Sequence, residues 1–250
     1  MSGHSKWSQI KRQKGVADVK RGQVFTKLGR ELAVAVRAGG PDPLMNPRLR
    51  LAVDRAREAN MPIDTIDRAI KRAAGSATEG NLDEIVYEGY GPGGAALLIE
   101  VLTDNRNRAV AEVRSAFTRA GGSLAEAGAV AWLFQQRGLL TIEAPGSDPD
   151  EIGLMAIDAG AEDARVDGDI VEVYTEPTGL EEVRSALERA KLNITAAEVA
   201  MIPTTTIALD ADKTVSILRL MERLEDMDDV QKVYTNVEIS EEAVAAFAGA

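Results

Sequence analysis

The 250-residue chain contains no cysteine and a single histidine, His4. The missing thiols exclude disulfides, thiolate nucleophiles and cysteine-based zinc sites, and one imidazole leaves histidine–metal chemistry a single candidate ligand. Nine prolines and the lack of biased runs exclude collagen-like and low-complexity chains. No apolar stretch approaches the roughly 20 residues a membrane-spanning helix requires. The opening MSGHSKWSQIKRQKG has neither the apolar segment of a secretory signal nor the amphipathic Arg/Ser helix of a transit peptide. It is therefore expected to stay in the mature protein, in the cytoplasm. G-x-S-x-G, H-E-x-x-H and the kinase motifs are missing too, so catalysis has no visible home and no cofactor is expected.

What is present is an uneven distribution of charge. The chain carries 29 Lys/Arg and 40 Asp/Glu, for a net charge of −11. Residues 1–80 hold 16 basic and 8 acidic residues, whereas the remainder holds 13 and 32. A basic module on an acidic body fits contact with a polyanion at one end of the chain.

The first 22 residues show no sustained period and are expected to form an arm, mobile in isolation. From Gln23, the residues Val24, Phe25, Leu28, Leu32 and Val36 share one helical face until Gly39-Gly40-Pro41. Asn46-Pro47 reads as an N-cap with proline at the first helical position, opening a helix that turns Leu49, Val53 and Ala56 inward. A third helix begins at Pro62, buries Ile63, Ile66 and Ile70, and ends by Gly75. Together they predict a small helical bundle, followed by a linker at 75–81.

Beyond the linker, strands and helices alternate. Ala95–Thr103 predicts a buried strand, and Asp104 or Asn105 caps a helix carrying Val110, Val113 and Phe117. Ala129–Phe134 reads as a strand. Residues 138–202 give the order βαββαβ of the ferredoxin-like unit, with a hairpin around Asp167-Gly168-Asp169. Thr204–Leu209, a helix through Val215–Leu224, and Val230–Ile239 complete a strand–helix–strand piece. The expected fold is multidomain α and α+β. Its parts are a basic helical domain with its arm (1–80), a discontinuous α+β domain (81–137 with 203–250), and an inserted ferredoxin-like domain (138–202). Two consecutive independent domains are the plain alternative.

Few groups offer chemistry. His4 lies in the arm, where a general base lacks fixed neighbours, so contact with nucleic acid or the ribosome is the better reading. Gly89-Tyr90-Gly91-Pro92-Gly93-Gly94 leads into a strand rather than a helix N-terminus, so it reads as a turn and not a phosphate loop. Asn105, Arg106 and Arg108 stand at a strand–helix corner and form a possible secondary anion contact. The competing reading is a helix cap whose arginines pair with the acidic body. Glu222, Glu225, Asp226, Asp228 and Asp229 lack calcium-loop spacing and read as a solvated helix end.

The stronger signal is the basic module. The arm offers Lys6, Lys11, Arg12, Lys14, Lys20 and Arg21 with Trp7 among them, and Lys27 and Arg30 continue it along the first helix. Helical projection puts Lys20, Lys27, Arg30 and Arg37 opposite the Phe25/Leu28/Leu32 face, and Arg68, Lys71 and Arg72 opposite Ile63/Ile66/Ile70. Trp7 suits stacking on an exposed base, or else packs on the bundle and tethers the arm.

Several of these motifs resemble the YebC/PmpR family. The likeness runs through Gly3-His4-Ser5-Lys6-Trp7, Gly39-Gly40-Pro41-Asp42-Pro43, Asn60-Met61-Pro62, Tyr87-Glu88-Gly89-Tyr90-Gly91-Pro92, Leu102-Thr103-Asp104-Asn105 and Met201-Ile202-Pro203. It covers nearly the whole chain. Departures are small: Ala109 follows Asn107-Arg108 where the family tends to threonine, and Ala129 and Ala131 flank Val130 where serine is common. The resemblance implies three domains and a cytoplasmic transcriptional regulator that binds DNA. Some family members instead look like translation factors that contact ribosomal RNA or tRNA and relieve stalls at proline-rich sequences. The expected partner is nucleic acid, either DNA or, on the ribosome, ribosomal RNA; no membrane partner is expected. A small-molecule sensor built on the ferredoxin-like unit is a third, weaker reading.

Overall fold

A computed structural model describes residues 6–7, 10, 21–75 and 82–248, the side chain of Arg21 excepted. The chain forms two compact units. One comprises Ile10–Ala131, Leu209–Val233 and Ser240–Ala250; the other comprises Met1–Gln9, Trp132–Ala208 and Tyr234–Ile239.

The first unit opens with three helices, α1 (Arg21–Gly39), α2 (Pro47–Glu58) and α3 (Ile63–Gly75). Leu32, Ala35, Leu49, Ala52, Ala56 and Ile66 close their shared core. Asn46 joins α1 to α2. Its side-chain oxygen accepts from the Leu49 N–H at 3.1 Å, while its amide donates to the carbonyls of Ala35 and Gly40 at 2.7 and 2.8 Å. One buried amide thus caps the second helix and satisfies carbonyls at the end of the first. Ile63 departs from expectation: it is 65% exposed, while Ile66 is buried and Ile70 half-buried. Periodicity gives the direction of a side chain, and in the first turn of α3 no neighbour reaches it.

The same unit then builds a sheet from β1 (Asp83–Tyr90), β2 (Ala96–Thr103), β3 (Ser123–Leu124) and β8 (Val230–Thr235), in the order β3-β1-β2-β8. β1 and β2 are antiparallel, from Asp83 opposite Thr103 to Tyr90 opposite Ala96. Helices α4 (Arg106–Arg119), α7 (Ala211–Glu225) and α8 (Glu241–Ala248) belong to this unit as well, with α7 packed between α4 and α8. The glycine run is a structural turn between β1 and β2, as its context suggested. A Cβ on Gly91 would stand 2.5 Å from Ile217 Cδ1 and 2.9 Å from Leu97 Cδ1, and Gly93 has φ of 74°.

The second unit contains β4 (Phe134–Glu143), α5 (Pro149–Asp158), β5 (Asp163–Asp167), β6 (Ile170–Thr175), α6 (Leu180–Arg189) and β7 (Asn193–Pro203). This is the expected βαββαβ order. The strands lie as β5-β6-β4-β7, every neighbouring pair antiparallel. Asp148 caps α5 by accepting from the Asp150 N–H, and Gly168 supplies the φ of 59° that the β5–β6 turn requires.

Several expected elements differ. The strand expected at 129–134 is instead a bend and a short 3-10 turn, Ala131–Leu133, that runs into β4 at Phe134; the buried Glu88 carboxylate accepts the N–H groups of Gly128, Val130 and Ala131 there at 2.6–2.7 Å. Burial pushes the Glu88 carboxyl up, but the three hydrogen bonds outweigh it and hold it below the ordinary glutamate value. Strand β4 is correspondingly longer than the expected Leu139–Glu143. Thr204–Leu209 reduces to one bridge, Ile207 with Val237. β1 and α8 were not anticipated: the charged residues Asp83, Glu84 and Glu88 break the apolar pattern of β1.

Replacing Asn46 with alanine removes the cap and strands two buried carbonyls. It is expected to cost about 2–4 kcal/mol, read as a lower urea midpoint with the denaturant slope unchanged. A loss below about 0.5 kcal/mol would contradict the joint role given to this amide.

Candidate nucleic-acid interface

The cations of the helical bundle divide by what they face. In α2, Arg48 pairs with Glu84 at 2.6 Å, Arg55 with Glu31 at 2.6 Å, and Arg57 lies 3.9 Å from Asp54. These arginines are largely compensated.

In α1, Lys27 and Arg30 point into the acidic body. Lys27 donates to the carbonyl of Glu225, at the C-terminus of α7. Arg30 donates to the Asp228 carbonyl at 2.6 Å and to Asp229 Oδ1 at 2.7 Å. Two cations at the carbonyl end of a helix also oppose its dipole favourably.

Asp229 is the hub of this contact. Only 3% exposed, its carboxylate also receives the Thr103 hydroxyl at 2.8 Å and an Arg108 guanidinium nitrogen at 2.8 Å. Its carbonyl accepts from the Leu102 N–H, which locks the segment to the end of β2. Burial would raise the Asp229 carboxyl; hydrogen bonds from Arg108 and Thr103, with the charges of Arg30 and Arg108, overcome this and hold it below the ordinary 3.8. Arg108 is raised in turn, chiefly by its hydrogen bonds to Asp229 and Asp104.

The strand–helix corner therefore has the geometry of a cap with paired arginines. Asn105 accepts from the Arg108 N–H at 3.0 Å, Arg106 donates to Asp83 at 2.7 Å, and Arg108 bridges Asp104 and Asp229. Both guanidiniums already hold carboxylates, so this corner is not offered to an outside anion.

The arm also departs from expectation where it is described. Lys6, Trp7 and Ile10 are helical. Trp7 is 1% exposed and Ile10 4%, and Lys6 lies 3.4 Å from Asp167. An indole this far from solvent does not present a face to a base; Trp7 belongs to the unit of Trp132–Ala208 and not to that of the helical bundle, on which the tethering reading had it pack. Lys11, Arg12, Lys14 and Lys20 lie outside the described residues, as do His4 and the side chain of Arg21.

Among the described residues of the bundle, the exposed cations held in no ion pair lie instead on α3, at Arg68, Lys71 and Arg72; Arg37, at the end of α1, is exposed as well. Arg68 is held by neutral acceptors, the Asp64 carbonyl at 3.0 Å and the Thr65 hydroxyl at 3.1 Å, so its charge is positioned without being neutralised. A groove of about 460 Å³ runs between α1 and α3, with Arg30, Arg37, Arg68 and Arg72 lining it. Among the described residues no Asp or Glu lines it, in a chain whose acids outnumber its bases. Helical projection had placed Arg37, Arg68, Lys71 and Arg72 on a basic face; it gave no sign that two helices enclose a cationic groove. Asp229 was visible only as one member of an acidic cluster.

Among the described residues no group of His, Asp and Glu is arranged to hold a metal, and no helix is long and apolar enough to cross a membrane.

Comparison with known proteins gives two family matches. Residues 5–76 match the TACO1/YebC protein N-terminal domain, and residues 82–237 the TACO1/YebC second and third domain. The chain belongs to the TACO1/YebC family. A relative from Pelotomaculum thermopropionicum, named a probable transcriptional regulatory protein, is 53% identical over 243 residues, covering 96% of this chain and 100% of its own. One from Roseiflexus castenholzii with the same name is 54% identical over 252 residues, covering 99% of each. The crystal structure of a conserved hypothetical protein from Aquifex aeolicus is similar at 42% identity. It has a TM-score of 0.82 and covers 90% of this chain and 93% of that one.

Removing the charge at the hub tests the docking of α1 in this TACO1/YebC protein. Asp229→Asn leaves Arg30 without its carboxylate and Arg108 with Asp104 alone, and is expected to destabilise the protein by about 3 kcal/mol at neutral pH. Because the carboxyl sits below 3.8 when folded, its contribution is complete above the unfolded value and lost as pH falls through the folded one. Denaturation of wild type and variant should therefore converge well below pH 3.8. A gap that persists undiminished into strong acid would refute the role of the charge.

Proposed function

We propose that this protein is a nucleic-acid-binding regulator of gene expression, acting as a DNA-binding transcriptional regulator of the YebC/PmpR type in the cytoplasm. It works by binding rather than catalysis. The observation that carries the reading is the cationic face of α3, where Arg68, Lys71 and Arg72 are exposed and held in no ion pair among the described residues. That face belongs to the one segment of the sequence with positive net charge, on an otherwise acidic chain. The names of the relatives, probable transcriptional regulatory proteins, point the same way and do not favour a ribosome-bound translation factor.

The contact is electrostatic in the first instance: guanidiniums grip phosphate oxygens and release condensed counterions. The basic helical domain, residues 1–80, carries the contact. In this reading the remaining α+β parts (81–137 with 203–250, and 138–202) form a discontinuous domain and a ferredoxin-like insert. The strand order β5-β6-β4-β7, which is the order of that fold, supports the second assignment.

Binding of the full chain to a labelled duplex should weaken steeply with salt, log K falling by about 0.9 per phosphate contacted. The triple change Arg68→Gln, Lys71→Gln, Arg72→Gln should weaken binding and flatten the slope by about 2–3 contacts. No measurable association at low salt, or a slope the triple variant leaves untouched, would defeat the proposal.

A further inference from the structure

The groove between α1 and α3 has a form that a duplex-binding surface does not need. Phosphates of a duplex lie on a convex cylinder and are met by projecting side chains, whereas here the arginines surround a concavity of about 460 Å³. A concavity of this volume is of the size that takes one small molecule, such as a base with its sugar and phosphate, and does not enclose a double helix.

The floor is apolar. Phe25, Ala33, Ala69 and Ala73 line it, and all four are half-buried, leaving apolar surface open within the groove. Phe25 and Ala69 pack against the bundle core on one side and border the groove on the other. An aromatic ring, an apolar floor and the exposed guanidiniums of Arg68 and Arg72 together match an unpaired nucleotide. The base stacks on Phe25, and Arg68 and Arg72 take the phosphates on either side of it. An acidic peptide would satisfy the arginines but leave the aromatic floor without a stacking partner.

We propose that this groove seats unpaired nucleotides of a single nucleic-acid strand, so that the protein reads single-stranded segments in preference to duplex. The inference rests on the nucleic-acid reading above and sharpens it to a substrate class. Arg30 contributes differently from its neighbours. Asp228 and Asp229 hold it from the acidic body, so it shapes the wall of the groove more than it adds charge.

The test is equilibrium binding of the full chain to a labelled single strand of about 12 nucleotides, as DNA and as RNA. Its duplex, an abasic strand of equal length, and polyglutamate serve as comparisons. The single strand should bind about tenfold more tightly than the abasic one, since stacking on one ring contributes on that scale. Phe25→Leu, which keeps an apolar side chain against the core, should reduce the intact strand to the abasic level and leave duplex binding unchanged. Arg72→Gln, at an exposed position, should weaken intact and abasic strands alike by a few-fold, and it serves if Phe25→Leu proves unstable. Equal affinity for intact and abasic strands, or polyglutamate competing as well as the oligonucleotide, would overturn the groove assignment while duplex binding kept the wider reading alive. No binding to any nucleic acid would overturn both.

Discussion

A buried carboxylate, Asp229, fixes how the basic helices meet the α+β part of their unit. It sits at the start of β8 and holds four things at once: the end of β2 through its carbonyl, Thr103 through its hydroxyl, Arg108 of α4, and Arg30 of α1. A carboxylate this deep is tolerated only because each oxygen is hydrogen-bonded and the opposing charge exceeds its own. The cations that a reader of the sequence would first assign to nucleic acid are part of this joint. Lys27 and Arg30 are held by the ends of α7 and β8, and their engagement leaves the cations of α3 to carry the external charge.

That division separates what charge counting reads, the sign of a whole segment, from what it does not, the partner of each cation. The excess of 8 positive charges in residues 1–80 marks the basic module correctly in bulk. Which cations remain available depends on partners about 200 positions away, such as Asp229 for Arg30, and no local pattern encodes those. The same holds for Arg106 and Arg108, whose carboxylates come from β1, β8 and the β2–α4 corner. Arg68 is the contrasting case: its acceptors lie three and four residues back on its own helix, so its exposure follows from helical spacing alone.

Elements were legible where local chemistry and pattern agreed. Asn46-Pro47 announced α2, Asn105 announced α4, and Asp167-Gly168-Asp169 announced the β5–β6 hairpin. Legibility broke at Glu88. An acidic residue in a strand argues against burial, yet this one is buried because three backbone N–H groups converge on it, and the same bonds hold the segment before β4 as a bend and 3-10 turn where a strand was expected. Trp7 was misjudged for a related reason. A tryptophan among lysines suggests a stacking platform when burial is unknown, and here the indole is enclosed.

The central claim is that the α1–α3 side of the bundle, and not the face joined to Asp229, meets nucleic acid. Amide hydrogen exchange of the full chain with and without a saturating oligonucleotide tests it most directly. Protection should gather in α3 and in the part of α1 from Phe25 to Arg37, with Trp132–Ala208 unchanged. Protection confined to Trp132–Ala208, with α3 exchanging as in the free protein, would contradict the account.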